Sequence, residues 1–441
     1  FYPGWLTLEQ VKLTSDDAQA SGRLQLRWHE GAIIGGEADM TARAPGMTAT
    51  LRGGVQERSG SGLVQWQVTD AASALAWLSR LPGVAAVLPA GTHARGQAQL
   101  SAHWSGGWRQ PGLQGELTST GLSLGTQRLQ EVRIRQARVQ VEGTLAQARL
   151  NLQAQAQQGG RKADLELSAQ GGYGAAGKPH GQARLTTLRL QLTEPLLGPD
   201  PWQFALTEPV LLTWTSPAGT DGTVGAGALS ITSTAPEAQA TLRWGAVTHT
   251  QGHWSSSGEL TGLPMQWAMH ALGATTQAKG LTGDVLLGGS WNFALSNTLQ
   301  LKAELERTSG DLTLRASAGD GTPQARIAAG LKQARATLTS DGRHIDLQLL
   351  WDSAHAGRIS GELHSPLTVT SDAQGQRHWS WPDGAPLSGH LRASLPEIAA
   401  WSALAPLGWR LSGSLAVDVA VSGTRASPQL AGTAAADDLA L

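Results

Sequence analysis

The chain alternates apolar and polar residues with a two-residue period over most of its length. Ala148, Leu150, Leu152, Ala154 and Ala156 are separated by Arg149, Asn151, Gln153 and Gln155. Successive side chains of a β-strand point to opposite faces, so such a segment has one apolar and one polar face as a strand and no coherent stripe as a helix. The same spacing puts Leu24 with Leu26, Leu165 with Leu167, and Leu188 with Leu190 and Leu192. It returns with Leu299 and Leu301, Leu312 and Leu314, Leu347 and Leu349, and Leu415, Val417, Val419 and Val421. Strands buried on both faces would read as continuous apolar runs, so the pattern predicts an all-β, antiparallel or open sheet rather than an α/β core.

Composition narrows the partners. The 441 residues include 33 Lys and Arg against 34 Asp and Glu, a net charge of −1. Nucleic acid and anionic head groups both select basic surfaces, so no nucleic-acid partner is expected. Charged residues are 15% of the chain, too few for long helices laced by ion pairs. The absence of Cys removes disulfides, thiol catalysis and Cys-ligated metals, and is compatible with an oxidising compartment such as the bacterial periplasm. The longest apolar stretch, Leu81 to Leu88, contains Pro82 and falls short of the ~18 to 20 residues of a spanning helix. Without an initiator Met at Phe1, and with a regular pattern still running at Leu441, the chain reads as an internal excerpt.

Three short stretches take helical spacing instead. In 70–81, Ala71, Ala74, Leu75, Leu78 and Leu81 share a stripe behind a capping Asp70. Two more are expected at 264–272 and 396–405, each with a proline suited to a first turn. Each of the three carries one tryptophan: Trp77, Trp267 and Trp401. They sit in a repeated frame. A strand opens at Gly62, Gly258 or Gly389, a helix follows, and an alternating strand restarts at Gly96, Gly283 or Gly413. The spacing between copies is unequal, which excludes a fixed-period solenoid. The expected organisation is one continuous assembly with soft boundaries: a repeat block at 1–117, alternating strands at 118–252, and two further repeat blocks at 253–441.

Motifs of catalytic type fail their context. Gly172-Tyr173-Gly174-Ala175-Ala176-Gly177 matches a dinucleotide fingerprint, but no helix follows to receive a pyrophosphate, so a hairpin loop is expected. Gly121-Leu122-Ser123-Leu124-Gly125 matches a nucleophile elbow without its strand-to-helix turn, and a turn between strands is expected. A phase slip near Gln136 predicts a bulge. The 12 His show no metal-ligand spacing, and Asp16-Asp17 and Asp437-Asp438 read as solvated turns. No catalytic residue, metal or cofactor is expected, and the chain is not read as an enzyme. The 17 Trp outnumber 3 Phe and 2 Tyr, too few of the latter for the girdles of a membrane barrel. Most are expected to fill the core or sheet faces. Trp104, Trp108, Trp379, Trp381 and Trp409 could also stack on sugar rings or acyl chains.

Glycine-opened strands, short Trp-containing helices, and Gly413-Ser414-Leu415-Ala416-Val417-Asp418-Val419-Ala420-Val421-Ser422-Gly423-Thr424 followed by Pro428-Gln429-Leu430-Ala431-Gly432 resemble the periplasmic repeats of the TamB family, within the wider AsmA-like group. The closest likeness runs from Gly389 to Gly432. This resemblance implies an elongated, curled open sheet, folded like a taco around an apolar groove. It also implies anchoring in the bacterial inner membrane through a segment not present here, and an outer-membrane partner of the TamA barrel type. The function implied is phospholipid transport across the periplasm, with a role in outer-membrane assembly. The in-phase residues from Leu24 to Val421 named above would then line the groove and touch phospholipid acyl chains. Alternation reports which side chains leave water and not what covers them, so the same residues could instead form a dry core. The alternative reading is a secreted or surface β-protein that binds carbohydrate or a host ligand through exposed Trp.

Overall fold

The computed structural model describes residues 4–15, 17–29, 32–80, 91–126, 131–174, 180–195, 201–215, 221–234, 237–271, 281–316, 325–371, 377–398 and 412–440. Among them the protein is nearly all β, with two short helices. It divides into two compact units, Phe1–Pro195 with Pro201–Gly219, and Leu196–Asp200 with Thr220–Leu441.

Unit 1 is an antiparallel meander. Its strands are β1 (Gly4–Thr14), β2 (Gln19–His29), β3 (Ala32–Ala44), β4 (Met47–Gln56), β5 (Gly60–Val68), β6 (His93–Ser105), β7 (Gly112–Gly125), β8 (Val132–Thr144), β9 (Gln147–Gln158), β10 (Arg161–Tyr173) and β11 (Gly181–Thr193). Each pairs with the next in sequence. The short β12 (Trp202–Leu206) and β13 (Val210–Trp214) share the far side of β11. Helix α1 (Ala71–Leu78) joins β5 to β6, and the Ala72 amide donates to the Asp70 carboxylate 3.1 Å away, the cap that the sequence predicts.

Unit 2 repeats the theme. Its strands are β14 (Gly222–Val224), β15 (Gly227–Thr234), β16 (Glu237–Trp244), β17 (Val247–Thr250), β18 (His253–Pro264), β19 (Leu281–Gly283), β20 (Leu286–Leu295), β21 (Leu299–Ser309), β22 (Leu312–Ala316) and β23 (Ala325–Ala328). They continue with β24 (Leu331–Asp341), β25 (His344–Ser353), β26 (Gly357–Pro366), β27 (Thr368–Ser371), β28 (Arg377–Ser380), β29 (Ser388–Leu395), β30 (Ser412–Thr424) and β31 (Ser427–Ala440). The main antiparallel series runs β15, β16, β18, β20, β21, β24, β25, β26, β29, β30, β31. Strands β19, β22 and β23 form a side sheet, and β27 with β28 a hairpin. Helix α2 (Met265–Ala271) starts directly after Pro264 and buries Trp267. The third expected helix, at 396–405, falls largely outside the described residues.

The expected phase slip is a bulge at Arg135, which lets Ile134 and Ala137 share a face although three residues apart. The frame glycines Gly96, Gly283 and Gly413 all adopt positive φ (102°, 156° and 97°). Gly96 and Gly413 mark register shifts, so these positions need a residue without Cβ. Of the GxGxxG segment, Gly172 and Tyr173 end β10 and the Gly174 amide bonds to the His180 carbonyl, as expected of a hairpin, while 175–177 lie outside the described residues. The GxSxG segment corrects the expectation of a turn. It lies inside β7, and buried Ser123 gives its hydroxyl to Glu131, which lowers that carboxyl's pKa. Asp437-Asp438 likewise lies within β31 rather than in a turn.

Among the described residues, buried apolar side chains gather in two clusters. Under α1, Val68, Ala71, Ala74 and Ala94 are buried, with Met47, Trp66, Leu75, Ala98 and Leu122 against them. In unit 2, Val285, Leu287, Leu312, Ala329, Leu331 and Ala356 pack with Leu263, Met265, Ala268, Ala334 and Trp351. Asp311 caps the second cluster, accepting from the amides of Leu312 (2.8 Å), Gly330 (2.9 Å) and Leu331 (2.8 Å). Burial alone would raise its pKa, but these three donors and nearby Arg307 hold it below the ordinary 3.8. A depressed carboxylate stabilises the fold above the unfolded pKa, and the contribution fades as pH falls through the folded value. Asp311→Ala is therefore expected to cost about 1–3 kcal/mol at neutral pH by orphaning amides. Urea titrations of both proteins should show the gap narrowing toward pH 3, and an unchanged midpoint at pH 7 would refute the assignment.

Candidate functional site

Chaining the strand registers of unit 1 gives one row that takes a single residue from each of β1 to β11: Leu13, Ala20, Ala42, Ala49, Trp66, Leu100, Leu117, Val139, Leu152, Leu167 and Leu188. Every member is apolar. The residues one step along form Thr14, Gln19, Arg43, Thr48, Gln67, Gln99, Thr118, Arg138, Gln153, Glu166 and Arg189. Every one of these is polar. Two-residue periodicity along each strand has become a two-sided sheet because adjacent strands pair in phase. With neighbouring strands about 4.8 Å apart, the apolar row covers about 50 Å of sheet surface.

Unit 2 carries an equivalent row: Leu229, Leu242, Leu260, Gly289, Leu305, Ala336, Leu349, Gly361, Leu391, Val419 and Gly432. Beside it run Leu338, Leu347, Leu363, Gly389, Val421 and Leu430.

The predicted lining residues are thereby placed. Leu24, Leu26, Leu150, Leu152, Leu165, Leu167, Leu188, Leu190 and Leu192 share the apolar face of unit 1. Leu299, Leu301, Leu347, Leu349, Leu415, Val417, Val419 and Val421 share that of unit 2, where Leu299 is buried. Leu312 and Leu314 stand apart in the side sheet, and Leu312 belongs to the dry cluster.

Exposure separates an open face from a sandwich core. Leu117, Leu347 and Leu349 lie in mid-sheet and are still 36%, 39% and 44% exposed. A covered face would bring such residues close to zero. Adjacent half-exposed leucines on strand after strand make an apolar surface of the sort that marks a binding site. The polar face carries cross-strand ion pairs such as Arg138–Glu116 (2.7 Å) and Arg189–Glu166 (3.2 Å), exposed and worth little to stability.

Tryptophan is used here in a way that sequence reading did not find. Gly4 faces Trp28, Gly62 faces Trp104, Gly181 faces Trp214, and Gly258 lies between Trp244 and Trp291. A Cβ on Gly62 or Gly181 would stand 2.0 Å or 1.9 Å from the facing indole, so the ring lies across the glycine. The indole N–H groups are engaged as well: Trp104 donates to the Gly54 carbonyl (3.2 Å), Trp244 to that of Gly225 (3.0 Å), and Trp291 to the Ser256 hydroxyl (3.0 Å). Of the tryptophans considered for sugar stacking, Trp381 donates to Ser365 (2.8 Å) under the Arg425 guanidinium, while Trp108 and Trp379 are exposed.

At one end of the strands, α1 lies over the apolar face of unit 1. Trp77 donates to Asp17 in the β1–β2 turn (3.1 Å), and Arg80 forms an ion pair with the same carboxylate. Arg80, more than Trp77, holds the Asp17 pKa below its ordinary value. Asp17, read from sequence as part of a solvated turn, thus fastens the C-terminal end of the helix to the β1–β2 turn. Beneath it is a cavity of about 330 Å³ bordered by Leu13, Ala20, Ala42, Met47, Ala49, Trp66 and Trp77. A larger cavity of about 860 Å³ lies by Glu142, Arg149, Gln170 and Arg184 on the polar side. No cluster of metal-ligating side chains occurs among the described residues. No helix among them is long and apolar enough to cross a membrane. No known family model matches the chain, and no curated protein is similar to it.

Proposed function

We propose that the chain belongs to the class of proteins that conduct lipid along an apolar β-sheet face. Within that class it is read as a TamB-like, AsmA-like segment of a periplasm-spanning protein. Such a segment is anchored in the inner membrane by a part outside this chain and meets an outer-membrane barrel of the TamA type. Its work is to carry phospholipid between the two membranes and so to support outer-membrane assembly. The observation that carries this reading is the in-phase apolar row across β1 to β11, half open to solvent and backed by an unbroken polar row. A phospholipid tail in water forfeits about 0.8 kcal/mol per exposed methylene. A face apolar at every strand step lets the tail advance without re-exposing those methylenes, while the head group stays in water. The chain itself then needs no catalytic group.

The test is native mass spectrometry with lipid extraction on protein purified from a bacterial periplasm without detergent. Co-purifying phospholipid is the expected result. A lipid-free, monodisperse protein that also takes up no phospholipid from donor vesicles would overturn the proposal.

A further inference from the structure

We infer that the cavity beneath α1 is a terminal acyl-chain site, which receives the methyl end of one lipid tail lying along the row; this rests on the lipid reading and narrows it to one place. The floor is built from that row. Ala20, Ala42 and Ala49 stand side by side on β2, β3 and β4, with Leu13 and Trp66 at either end. Three alanines where the rest of the row has mostly leucine or valine leave a depression, and Trp77 roofs it. At about 330 Å³ the depression lies at the small end of ligand pockets, a size for part of one acyl chain rather than a whole lipid. It does not suit a second tail with a head group.

The lining chemistry agrees. Thr14, Gln19 and Arg43 border the cavity, but they belong to the polar row, so their functional ends serve the other face. Apart from Ser15, which follows β1, what remains is apolar, with no charged side chain to hold a carboxylate or phosphate inside. The next residues along the row, Leu100 and Leu117, continue from Trp66 onto the open face. A tail lying across the strands meets the α1 roof at this end and stops there. The Asp17 contacts of Trp77 and Arg80 keep the roof in place.

Photolabelling of the purified protein tests this, with two probes: palmitate bearing a diazirine at its methyl end, and palmitate bearing one near its carboxyl. The methyl-end probe should mark peptides containing Met47, Trp66 or Trp77, and the carboxyl-end probe should not. Ala49→Phe fills the cavity and removes burial of about two methylenes, so labelling there should fall about tenfold. Labels on β9 to β11 should persist. Trp77→Ala opens the roof from the solvent side and should give the same local loss, which guards against a folding defect in the first variant. Equal labelling along the face, unmoved by either variant, would overturn the terminal site while leaving the lipid face standing. No labelling anywhere would overturn both.

Discussion

Leu152→Glu is expected to cut phospholipid loading about fiftyfold or more while leaving a soluble, β-rich protein. Leu152 is the β9 member of the row, flanked by Val139 and Leu167. A carboxylate there must either be desolvated under the acyl chain or hold water where the chain would lie. An unpaired charge in such a place costs at least about 2–3 kcal/mol, which is about fiftyfold in affinity. The fold loses much less, because the side chain is only half-buried and its burial contributes about 1 kcal/mol. Gln153→Glu places the same charge one residue along, on the polar row between Arg138 and Glu166, and should leave loading unchanged. Lipid extraction with quantitative mass spectrometry reads both variants. Equal loading in the two would show that the sheet does not discriminate its faces, and the conducting-face reading would fall.

The second large effect concerns the glycine and tryptophan pairs. Gly181→Ala is expected to destabilise unit 1 by about 2–4 kcal/mol, from overpacking and a displaced half-buried indole. Its Cβ would meet Trp214 Cε2, Cζ2 and Nε1 within 2.3 Å, and these indole atoms are the nearest obstruction. The ring must therefore leave the face. Trp214→Val alone should cost less than Gly181→Ala, and the double variant should recover most of the glycine penalty, because the obstruction has gone. Chemical denaturation of the four proteins gives the coupling directly. Strict additivity would mean that the indole does not rest on Gly181.

Much of the fold was legible along the chain. The alternation around Leu150 and Leu152 assigns both strand and face, since a period of two is compatible with nothing else over that length. Helix α1 was legible from Asp70 and its apolar stripe, and the bulge at Arg135 from the phase slip beside it. Leu312 shows where this reading ends. It alternates as cleanly as Leu347, yet it is buried in a dry cluster while Leu347 stays open. Periodicity is a property of one strand, whereas cover depends on what the rest of the chain lays over it. The pairing of Gly181 with Trp214 was hidden for a related reason: both residue types are plainly abundant, but facing positions on separate strands are set by turns and bulges.

By itself, then, the sequence determined the strands, their two faces and the near-neutral polar surface, because these follow from local stereochemistry and composition. Only the tertiary structure decided that Leu13 to Leu188 fall into one row, that this row stays half open, and that Trp77 roofs its end. Register, cover and the fastening of α1 to Asp17 are relations between segments far apart in the chain. The energy of each is fixed by the neighbour it meets in space, and that neighbour has no trace in the local pattern.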